Sequence, residues 1–545
     1  MEDYTTSEKW LTYLMRIYSI LFLVVGYVFL LFPWFTLKET DRFSDWLLGT
    51  NGLLKWLGRE LPHLKVNAQG TNAEYFWVFL SFSMMMTIAA CSYIASKDIR
   101  KNRSVIVPII LSKFASSLSA LTFYYSRGIF AHLAIFITDF PLAVLTLYLY
   151  LKASTGCIPQ VYQSCKIDKD KYLEKYPEMC IGSQITKVAC IHDDDKFRAL
   201  DQVLEKTDFY DILERKWKSS GNKKEDFLIA VKPNLMMTYN RVDESTYTDP
   251  ELVEHLLNKL HGIGYTRLAL VESRNTYGLY FEKRKVKEVA QYVGYGGKNY
   301  RICDLTSKKE KEMEEFDYGG PLGCHFVGKT WRNADFRISF AKNKTHSFCY
   351  YTLTLKNVYG TLPVENKLLE YHKKRCFDWP TIETLKHFPV HYGIIDAFIS
   401  ADGPMGVISD VRPNHTKTII GGEKIVAVDW VGAQKMGLNP LKSRFMKIAV
   451  HEFGSPEDKI ELIGNDKRYH PWKNVSPFLV DILDVAEKWW TLTHSFAAAF
   501  IFAEEYFPRK QPMSIVYRFF HWLILPILPL FFRTDHRLRK SRRRP

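Results

Sequence analysis

Four long apolar stretches near the N-terminus constrain the fold of this chain more than any other feature of its sequence. They cover Ile17–Phe35, Tyr75–Ser96, Ser104–Tyr124 and Ile129–Leu151. Each is close to the ~20 apolar residues with which an α-helix crosses the hydrocarbon core of a bilayer. The sequence therefore predicts an N-terminal transmembrane domain of four helices over residues 1–152.

The basic residues between the second and third stretches predict how this domain is oriented. They are Lys97, Arg100, Lys101 and Arg103, and a short basic loop of this kind faces the cytoplasm. Four crossings then leave both chain ends and the rest of the protein on the cytoplasmic side of the inner (plasma) membrane. The scattered cysteines, none of them in a C-x2-C pair, agree with a reducing compartment.

Two ionisable residues lie inside the predicted spans, Lys113 in the third and Asp139 in the fourth. At ~1.5 Å per residue in antiparallel helices, they fall within about one turn of the same depth. Ionisable groups inside a membrane are costly unless they are paired. We therefore expect the two side chains to face each other, either as a structural ion pair or as part of a proton or ligand relay.

The C-terminal residues 510–545 combine an apolar, aromatic segment at 513–532 with an arginine-rich tail. This combination predicts a segment that lies on the anionic cytoplasmic leaflet rather than crossing it. The formal net charge of +15 is therefore interpreted as favouring contact with anionic lipid headgroups. The sequence contains no nucleic-acid-binding motif, so nucleic acid is not expected as a partner.

Between these regions, residues 153–509 show short apolar runs that alternate with amphipathic helices. "DFLIAVKPN", "TDPELVEHLLNKLHGIG" and "TRLALVES" predict a strand–helix–strand unit with parallel strands. "ADFRISF" predicts a further strand that stops just before Lys342, and "GIIDAFISADGPMG" and "EKIVAVDWVGAQKMG" predict a strand and a helix. The pattern indicates an α/β domain with a mostly parallel sheet and covering helices.

Polar residues gather where the predicted strands end, and ligands of open α/β sheets bind at that edge. The candidate anion-binding residues are Lys232, Asn234, Lys342, Lys344, Lys356, Asn357, Gly403 and Gly406. The lysines would supply positive charge, the asparagines would orient the anion, and the glycines would offer backbone amides, although a tight turn explains the glycines as well. The alternative for the whole set is scattered surface polarity.

The candidate catalytic residues are His346, Glu272, Asp402 and His372. Histidine carries protons near neutral pH, and a carboxylate can assist it. Asp429 lies on a predicted helix, where it is either a site carboxylate or a cap. No metal ligand is assigned, because no ligand spacing is recognisable; the cofactor stays unknown, with a metal or a flavin left open.

Several stretches resemble the prokaryotic domain-of-unknown-function family 362. They run in family order from about Phe227 to Pro440 and include "VKPNL", "ISFAKNKTHSFCYYTLTLKNVYGTLP" with the downstream His372, and "GGEKIVAVDWVGAQKMGLNP". The last of these and "IIDAFISADGPMG" are also similar, more distantly, to the nickel-pincer lactate racemase superfamily, but its cofactor-attachment segment has no counterpart. Many relatives carry an iron–sulfur module, which implies redox roles; this chain has no such motif, so a redox role implies a separate partner.

These observations predict a membrane-anchored cytoplasmic enzyme of unknown reaction. It would bind an anionic small molecule or a membrane-associated substrate and act by proton transfer or redox chemistry, as an oxidoreductase or an isomerase- or lyase-like enzyme. Two alternatives belong to other classes. One is a non-catalytic docking or accessory protein at the bilayer, and the other is an electron-transfer component with a separate iron–sulfur partner.

Overall fold

The structure, a computed structural model, describes most of the chain in several stretches. These are residues 6–31, 72–99, 102–127, 130–154, 178–311, 315–318, 322–373, 378–403, 413–477, 480 and 506–512. Two compact units are present, Met1–Cys157 and Ile158–Pro545.

The first unit contains helices α1 (Thr6–Leu31), α2 (Asn72–Lys97), α3 (Ile106–Arg127) and α4 (Phe130–Ser154). Within the described residues, two segments are long and apolar enough to cross a membrane, Ser7–Val28 and Arg103–Tyr125, each with a mean hydropathy of 1.7, and Ile135–Leu151 is a shorter apolar helix. The four predicted spans are thus helical where the structure describes them. Their crossing of a membrane and its direction stay predictions.

Polar contacts join the helices of this unit. Lys113 Nζ on α3 is 2.6 Å from Asp139 Oδ1 on α4, and the Ser116 hydroxyl donates to Asp139 Oδ2 at 2.6 Å. Lys113 Nζ also lies 4.4 Å from the centre of the Phe22 ring on α1. The two ionisable residues that the sequence places within about one turn of the same depth are therefore in direct contact.

The second unit is built on strands β1 (Thr186–His192), β2 (Ile229–Pro233), β3 (Leu268–Glu272), β4 (Arg301–Asp304), β5 (Glu315–Asp317), β6 (Cys324–Phe326), β7 (Phe336–His346), β8 (Tyr350–Thr352), β9 (Tyr392–Ala401), β10 (Thr418–Gly422) and β11 (Ile460–Gly464). In its described part the main sheet has the order β11-β1-β10-β9-β7-β2-β3-β4, and β8 pairs with β7. β8 and β10 run antiparallel to their neighbours, whereas the other neighbouring pairs are parallel. β5 and β6 form a separate ribbon.

Helices cover both faces of this sheet. They are α5 (Lys196–Lys206), α6 (Phe209–Ser220), α7 (Pro250–Gly262), α8 (Val286–Val293), α9 (Lys308–Lys311), α10 (Lys329–Arg332), α11 (Thr354–Val358), α12 (Asp378–His387), α13 (Ile425–Lys435) and α14 (Arg444–Phe453). One apolar core lies between the sheet and α5 to α8, and a second lies between the sheet and α11 to α14. The predicted mixed α/β architecture with mostly parallel strands is confirmed.

The predicted strand–helix–strand unit is β2–α7–β3, whose strands are parallel. The Asp249 side chain caps α7 by accepting from the Glu251 backbone N–H at 2.9 Å, and Pro250 occupies the first turn. Pro is tolerated there because the first backbone N–H groups of a helix have no partner within it. These local signals explain why the sequence predicts this unit well.

The predicted end of β7 is wrong. The strand does not stop before Lys342 but continues through 11 residues to His346, and then turns back through β8 into the short helix α11. Charged residues continue a strand when each finds a buried polar partner. Lys342 and Lys344 do find such partners, so the change to polar sequence does not mark the strand end.

The described residues end with a short segment, residues 506–512, that packs against the loop before α8. The Glu282 N–H donates to the Pro508 carbonyl at 2.8 Å, and the Lys510 N–H donates to the Tyr280 carbonyl at 2.9 Å. Phe507 is fully buried. We call residues 506–512 the C-terminal strap; the predicted interfacial segment and tail after it lie outside the described residues.

Candidate functional site

Lys232, at the carboxyl end of β2, belongs to a buried polar cluster. Its Nζ is 2.9 Å from Glu272 Oε2, 3.2 Å from Asn357 Oδ1 and 2.6 Å from the Pro233 carbonyl oxygen. Burial lowers the pKa of Lys232, and the Glu272 carboxylate opposes that change. Lysine and carboxylate neutralise each other here, as buried charges must. Three predicted site residues thus meet, but the charge of Lys232 already has a partner.

Gly360 lets the backbone approach this ion pair. A Cβ atom at this position would lie 2.4 Å from Lys232 Cε and 2.5 Å from Glu272 Oε1. The Gly360 carbonyl also accepts from the Ser273 N–H at 3.0 Å. Only glycine leaves room for such contacts. Sequence analysis missed Gly360, although it follows Lys356 and Asn357 closely in the chain.

Lys342 forms a second buried ion pair. Its Nζ lies 2.8 Å from Asp396 Oδ2 on β9, and the two side chains are 1% and 0% exposed. Asp396 also accepts from the backbone N–H groups of Asp249 and Phe398, at 2.9 and 3.1 Å. The pair joins β7, β9 and the start of α7. Lys342 is therefore neutralised, and Asp396 is a partner that sequence analysis did not identify.

Lys344 projects from the same face of β7 but has different partners. Its Nζ donates to Asn234 Oδ1 at 2.9 Å and to the Thr246 carbonyl oxygen at 3.0 Å, and the residue is 1% exposed. Burial lowers the pKa of Lys344 to about 7, with further lowering from Lys356 and Lys342. Near neutral pH this amine can therefore both lose and gain a proton.

Lys356 lies on α11, whose first turn is held by Asp429. The Asp429 carboxylate accepts from the N–H groups of Thr354 and Leu355 at 2.7 and 2.9 Å. Burial raises the pKa of Asp429 to about 7, against the effect of these hydrogen bonds. Asp429 is thus a cap, one of the two roles that its sequence position suggested, and it fixes the helix that carries Lys356 and Asn357.

The Lys356 amine lies over an aromatic ring rather than beside a carboxylate. Its Nζ is 4.1 Å from the centre of the Tyr359 ring and 5.8 Å from that of Phe445. Among the described residues, no carboxylate forms an ion pair with it and no oxygen accepts its hydrogens. Burial lowers the pKa of Lys356. Lys356 is partly exposed as a residue, and its amine is a positive charge without a carboxylate partner in the described part of the chain.

His346 ends β7 next to these lysines. Its Nδ1 accepts a hydrogen bond from the Phe348 N–H at 3.1 Å, which leaves the proton of the neutral ring on Nε2. Burial, followed by the charges of Lys356 and Lys344, lowers the pKa of His346 well below its usual range. The ring is therefore neutral at physiological pH and offers an Nε2–H donor.

His372, predicted as a second proton carrier, lies among aromatic rings. Its ring centre is 6.3 Å from that of Phe348 and 5.8 Å from that of Tyr359. Phe348 also lies 5.9 Å from the His346 ring. The two histidines thus flank one phenylalanine, although His372 is more than 20 residues further along the chain.

Asp402 and Gly403 follow β9, and Gly403 contacts the face of β7 opposite Lys344 and His346. Asp402 Oδ2 accepts from the Lys473 N–H at 2.9 Å, and the Gly403 carbonyl accepts from the Thr345 hydroxyl at 2.7 Å. Thr345 alternates with Lys344 and His346 along the strand, so it points to the opposite face. Gly406 lies outside the described residues.

The strand register shows which predicted residues meet. Lys232 pairs with Ser339 across β2 and β7, so it shares the face of Ser339, whereas Lys342 and Lys344 lie on the other face. The candidate residues therefore reach one sheet edge from both faces. Three of them, Lys344, Lys356 and His346, lie near this edge and form no ion pair or hydrogen bond with a carboxylate in the described part of the chain. We call these three residues the rim cluster.

Lys367 is another residue that sequence analysis missed. Its Nζ donates to the Ser273 hydroxyl at 2.7 Å, and it lies 5.6 Å from the centre of the Tyr359 ring. No group of three or more His, Cys, Asp or Glu side chains in the described ranges could hold a metal ion. Nothing in the described geometry identifies a cofactor.

Comparison with known proteins shows what the central part of the chain is similar to. Residues 229–434 match DUF362, a domain of unknown function. This match lies within the range that the sequence resemblance predicted, and it contains every rim-cluster residue. No curated protein matches the chain.

A solved structure is similar at a much lower level. The lactate racemase apoprotein from Thermoanaerobacterium thermosaccharolyticum is 11% identical, with a TM-score of 0.30 over 48% of this chain and 58% of the racemase chain. The chain thus spans little more than half of that racemase. A likeness of this size carries no argument about the fold or the activity of this chain.

Proposed function

We propose that this chain is a membrane-anchored enzyme whose α/β domain binds a small carboxylate- or phosphate-bearing molecule and transfers a proton. One observation carries the proposal: the buried amine of Lys344 is bonded to neutral oxygens, and the amine of Lys356 has no carboxylate partner among the described residues. Two such cations are unfavourable in the empty protein. A bound anion would neutralise them.

Each rim-cluster residue takes one role in this proposal. Lys356 holds the anionic group, since it is the more exposed of the two lysines. Lys344, with a pKa of about 7, accepts or returns the proton. His346 stays neutral and donates its Nε2–H to a substrate oxygen that gains negative charge. This assigns His346 the part of a donor instead of the proton carrier that the sequence suggested.

Anion binding is tested first, with the full chain in detergent and sulfate or acetate as the probe. We expect either anion to raise the midpoint of thermal unfolding of the natural protein, and this rise to be much smaller in Lys344→Met and in Lys356→Met. Lys435→Met is the matched control. Lys435 is also buried, donates to the Asn465 carbonyl at 3.1 Å and lies 5.4 Å from the Tyr469 ring centre, but it ends α13 and contacts the residues that follow β11.

Proton transfer is tested next, by incubating the full chain in D2O with a panel of 2-hydroxy and 2-oxo acids. Proton removal from carbon replaces hydrogen by solvent deuterium, which NMR detects. We expect exchange in at least one acid, its loss in Lys344→Met, and a lower kcat with little change in KM for His346→Gln. If anions stabilise the protein but no acid exchanges hydrogen for deuterium, the chain binds an anion and the proposal of an enzyme is wrong. If sulfate stabilises all variants equally, the proposal that Lys344 and Lys356 bind the anion is wrong.

A further inference from the structure

Three segments of the α/β domain meet at the carboxyl edge of the sheet. They are the loop after β2 (residues 236–244), the loop before α8 (residues 275–285) and the C-terminal strap. Arg284 joins the first two, because its Nη1 donates to the Thr238 carbonyl at 2.6 Å. Lys510 joins the last two, because its Nζ donates to the Gly278 carbonyl at 2.6 Å.

Aromatic packing completes the connection between these segments. The rings of Tyr292 and Tyr506 stack with their centres 3.6 Å apart, and the Tyr292 hydroxyl accepts from the Arg241 N–H at 3.3 Å. Lys283 Nζ lies 5.1 Å from the centre of the Tyr506 ring. The three segments therefore form one continuous surface, which we call the strap face.

The strap face exposes apolar side chains beside basic ones. Val242 is 77% exposed and Leu279 is 42% exposed. The exposed or partly exposed charged residues of its three segments are five basic and two acidic: Arg241, Lys283, Lys285, Arg509 and Lys510 against Glu244 and Glu282. Arg284, between the exposed Lys283 and Lys285, is buried, and its bond to the Thr238 carbonyl holds two of the segments together.

The chain itself indicates what covers this face. Directly after the strap, the sequence from Met513 to Phe532 is apolar and aromatic, and seven of the 13 residues after it are Arg or Lys. Apolar residues backed by such a cluster bind the surface of an anionic bilayer. The strap face lies where this sequence leaves the domain and has the same two properties, exposed apolar residues and excess positive charge.

We propose that the strap face docks on an anionic lipid bilayer, with Val242 and Leu279 entering the headgroup layer and the basic residues contacting lipid phosphates. The loops of this face follow β2 and β3, so they belong to the same sheet edge as the rim cluster. Docking would therefore turn the sheet edge that carries the rim cluster towards the lipid surface. The α/β domain would then contact the membrane directly, in addition to the predicted anchoring by the N-terminal helices and the C-terminal tail.

Two exposed apolar residues elsewhere provide matched controls. Ile185 is 70% exposed and precedes β1, and Ile263 is 45% exposed and precedes β3. Both strands run parallel to β7 through the sheet, so both residues lie at the amino edge, opposite the strap face. Exposure and apolar character are thus similar to those of Val242 and Leu279, and the position in the fold differs.

The test is photocrosslinking of the full chain with p-benzoylphenylalanine introduced at position 242, 279, 185 or 263. Each variant is reconstituted in vesicles of phosphatidylcholine alone or mixed with phosphatidylglycerol, irradiated and analysed by mass spectrometry. We expect phosphatidylglycerol adducts at 242 and 279 at least fivefold above those at 185 and 263. Combining Arg241→Glu with Lys283→Glu should reduce them at least threefold.

Other outcomes overturn the proposal. Equal lipid adducts at all four positions would mean non-specific contact, and their absence at 242 and 279 would mean that the face does not reach the bilayer. Adducts there with a protein instead of lipid would assign the face to a protein partner. Lys344→Met should leave the adducts unchanged, so a failure of docking and a failure of the proposed anion site can be distinguished.

Discussion

Lys342 and Lys344 project from the same face of one strand, two residues apart, and differ in what neutralises them. Lys342 pairs with the Asp396 carboxylate at 2.8 Å, whereas Lys344 donates to an amide oxygen and a backbone carbonyl. Both are 1% exposed. The charge of Lys342 therefore stabilises the fold, whereas the charge of Lys344 destabilises it. We expect opposite effects on stability when the two residues are replaced.

Replacing Lys344 by Met should stabilise the empty protein. The pKa of Lys344 is about 7 in the fold and about 10.4 in the unfolded chain. Between these values the unfolded chain holds a proton that the folded one lacks, so the natural protein gains stability as pH rises from 7 to 10. We expect Lys344→Met to be more stable than the natural protein at pH 6, by up to about 4 kcal/mol, and to lose most of this advantage towards pH 10.

Lys342→Met is the control, measured by thermal unfolding over the same pH series. It removes a partner from a buried ion pair and should destabilise by about 3 kcal/mol throughout this range. Equal destabilisation by both substitutions would contradict the difference described for the two lysines.

Sulfate binding should weaken as pH rises through 7. Sulfate keeps its double negative charge over this range, so the change reports on the protein. Protonated Lys344 adds its positive charge to that of Lys356 in attracting the anion, and this charge is lost as pH rises through its pKa of about 7. Isothermal titration calorimetry should show an affinity at pH 6 about tenfold higher than at pH 8. In Lys344→Met the residual affinity should be nearly independent of pH, and a tenfold change there would point to a different titrating group.

The Lys232–Glu272 pair should show strong coupling in a double-mutant cycle. Lys232→Met or Glu272→Gln leaves one buried charge without its partner, and each should cost about 3 to 5 kcal/mol. Replacing both removes both charges, so the double variant should be more stable than the sum of the two losses predicts. Thermal unfolding measures the three variants. Additive losses would mean that the two charges do not depend on each other.

Gly360→Ala should destabilise the domain by about 2 kcal/mol or more, because the new methyl group would overlap the Lys232 and Glu272 side chains. Gly262→Ala, in the last turn of α7, is the matched control. No atom lies within 4 Å of the Cβ added there, and alanine should gain up to about 1 kcal/mol from its helix propensity. If Gly360→Ala were as well tolerated as Gly262→Ala, the close approach at Gly360 would be refuted.

Exchanging Lys113 and Asp139 should restore what either single change removes. Lys113→Asp brings two carboxylates together inside the helical unit, and Asp139→Lys brings two amines together. Each should lower the amount of folded protein recovered in detergent. In the natural protein, Lys113 Nζ on α3 is 2.6 Å from Asp139 Oδ1 on α4. The double variant recreates an ion pair between the two helices with the charges exchanged, and it should recover most of the folded protein that the single variants lose. A double variant as poor as the singles would mean that the pair is incidental.

Much of the fold could be predicted because its signals are local. Asp249 and Pro250 mark the start of α7, and the apolar runs of β2 and β3 match buried parallel strands. The extent of β7 could not be predicted in this way. Its last residues are polar, and they remain in the strand because Asp396 and Asn234, distant along the chain, supply partners.

The candidate site was only partly accessible from the sequence for a similar reason. The sequence places Lys342, Lys344 and His346 together, but which lysine is neutralised depends on Asp396, 54 residues downstream of Lys342. Gly360 matters through its contact with side chains on two other strands. Residue type and spacing do not report such long-range contacts. The membrane spans stay a prediction, and the anion-binding and deuterium-exchange experiments test the function of the site.

The C-terminal strap determines where the α/β domain can be cut. A boundary drawn after the last described sheet strand, β11, would leave out Phe507, which is fully buried against the core. It would also remove the backbone partners of Tyr280 and Glu282. A truncated version intended for crystallisation must therefore retain residues up to Pro512, and shortening the chain before Tyr506 would open the interior of the domain to water.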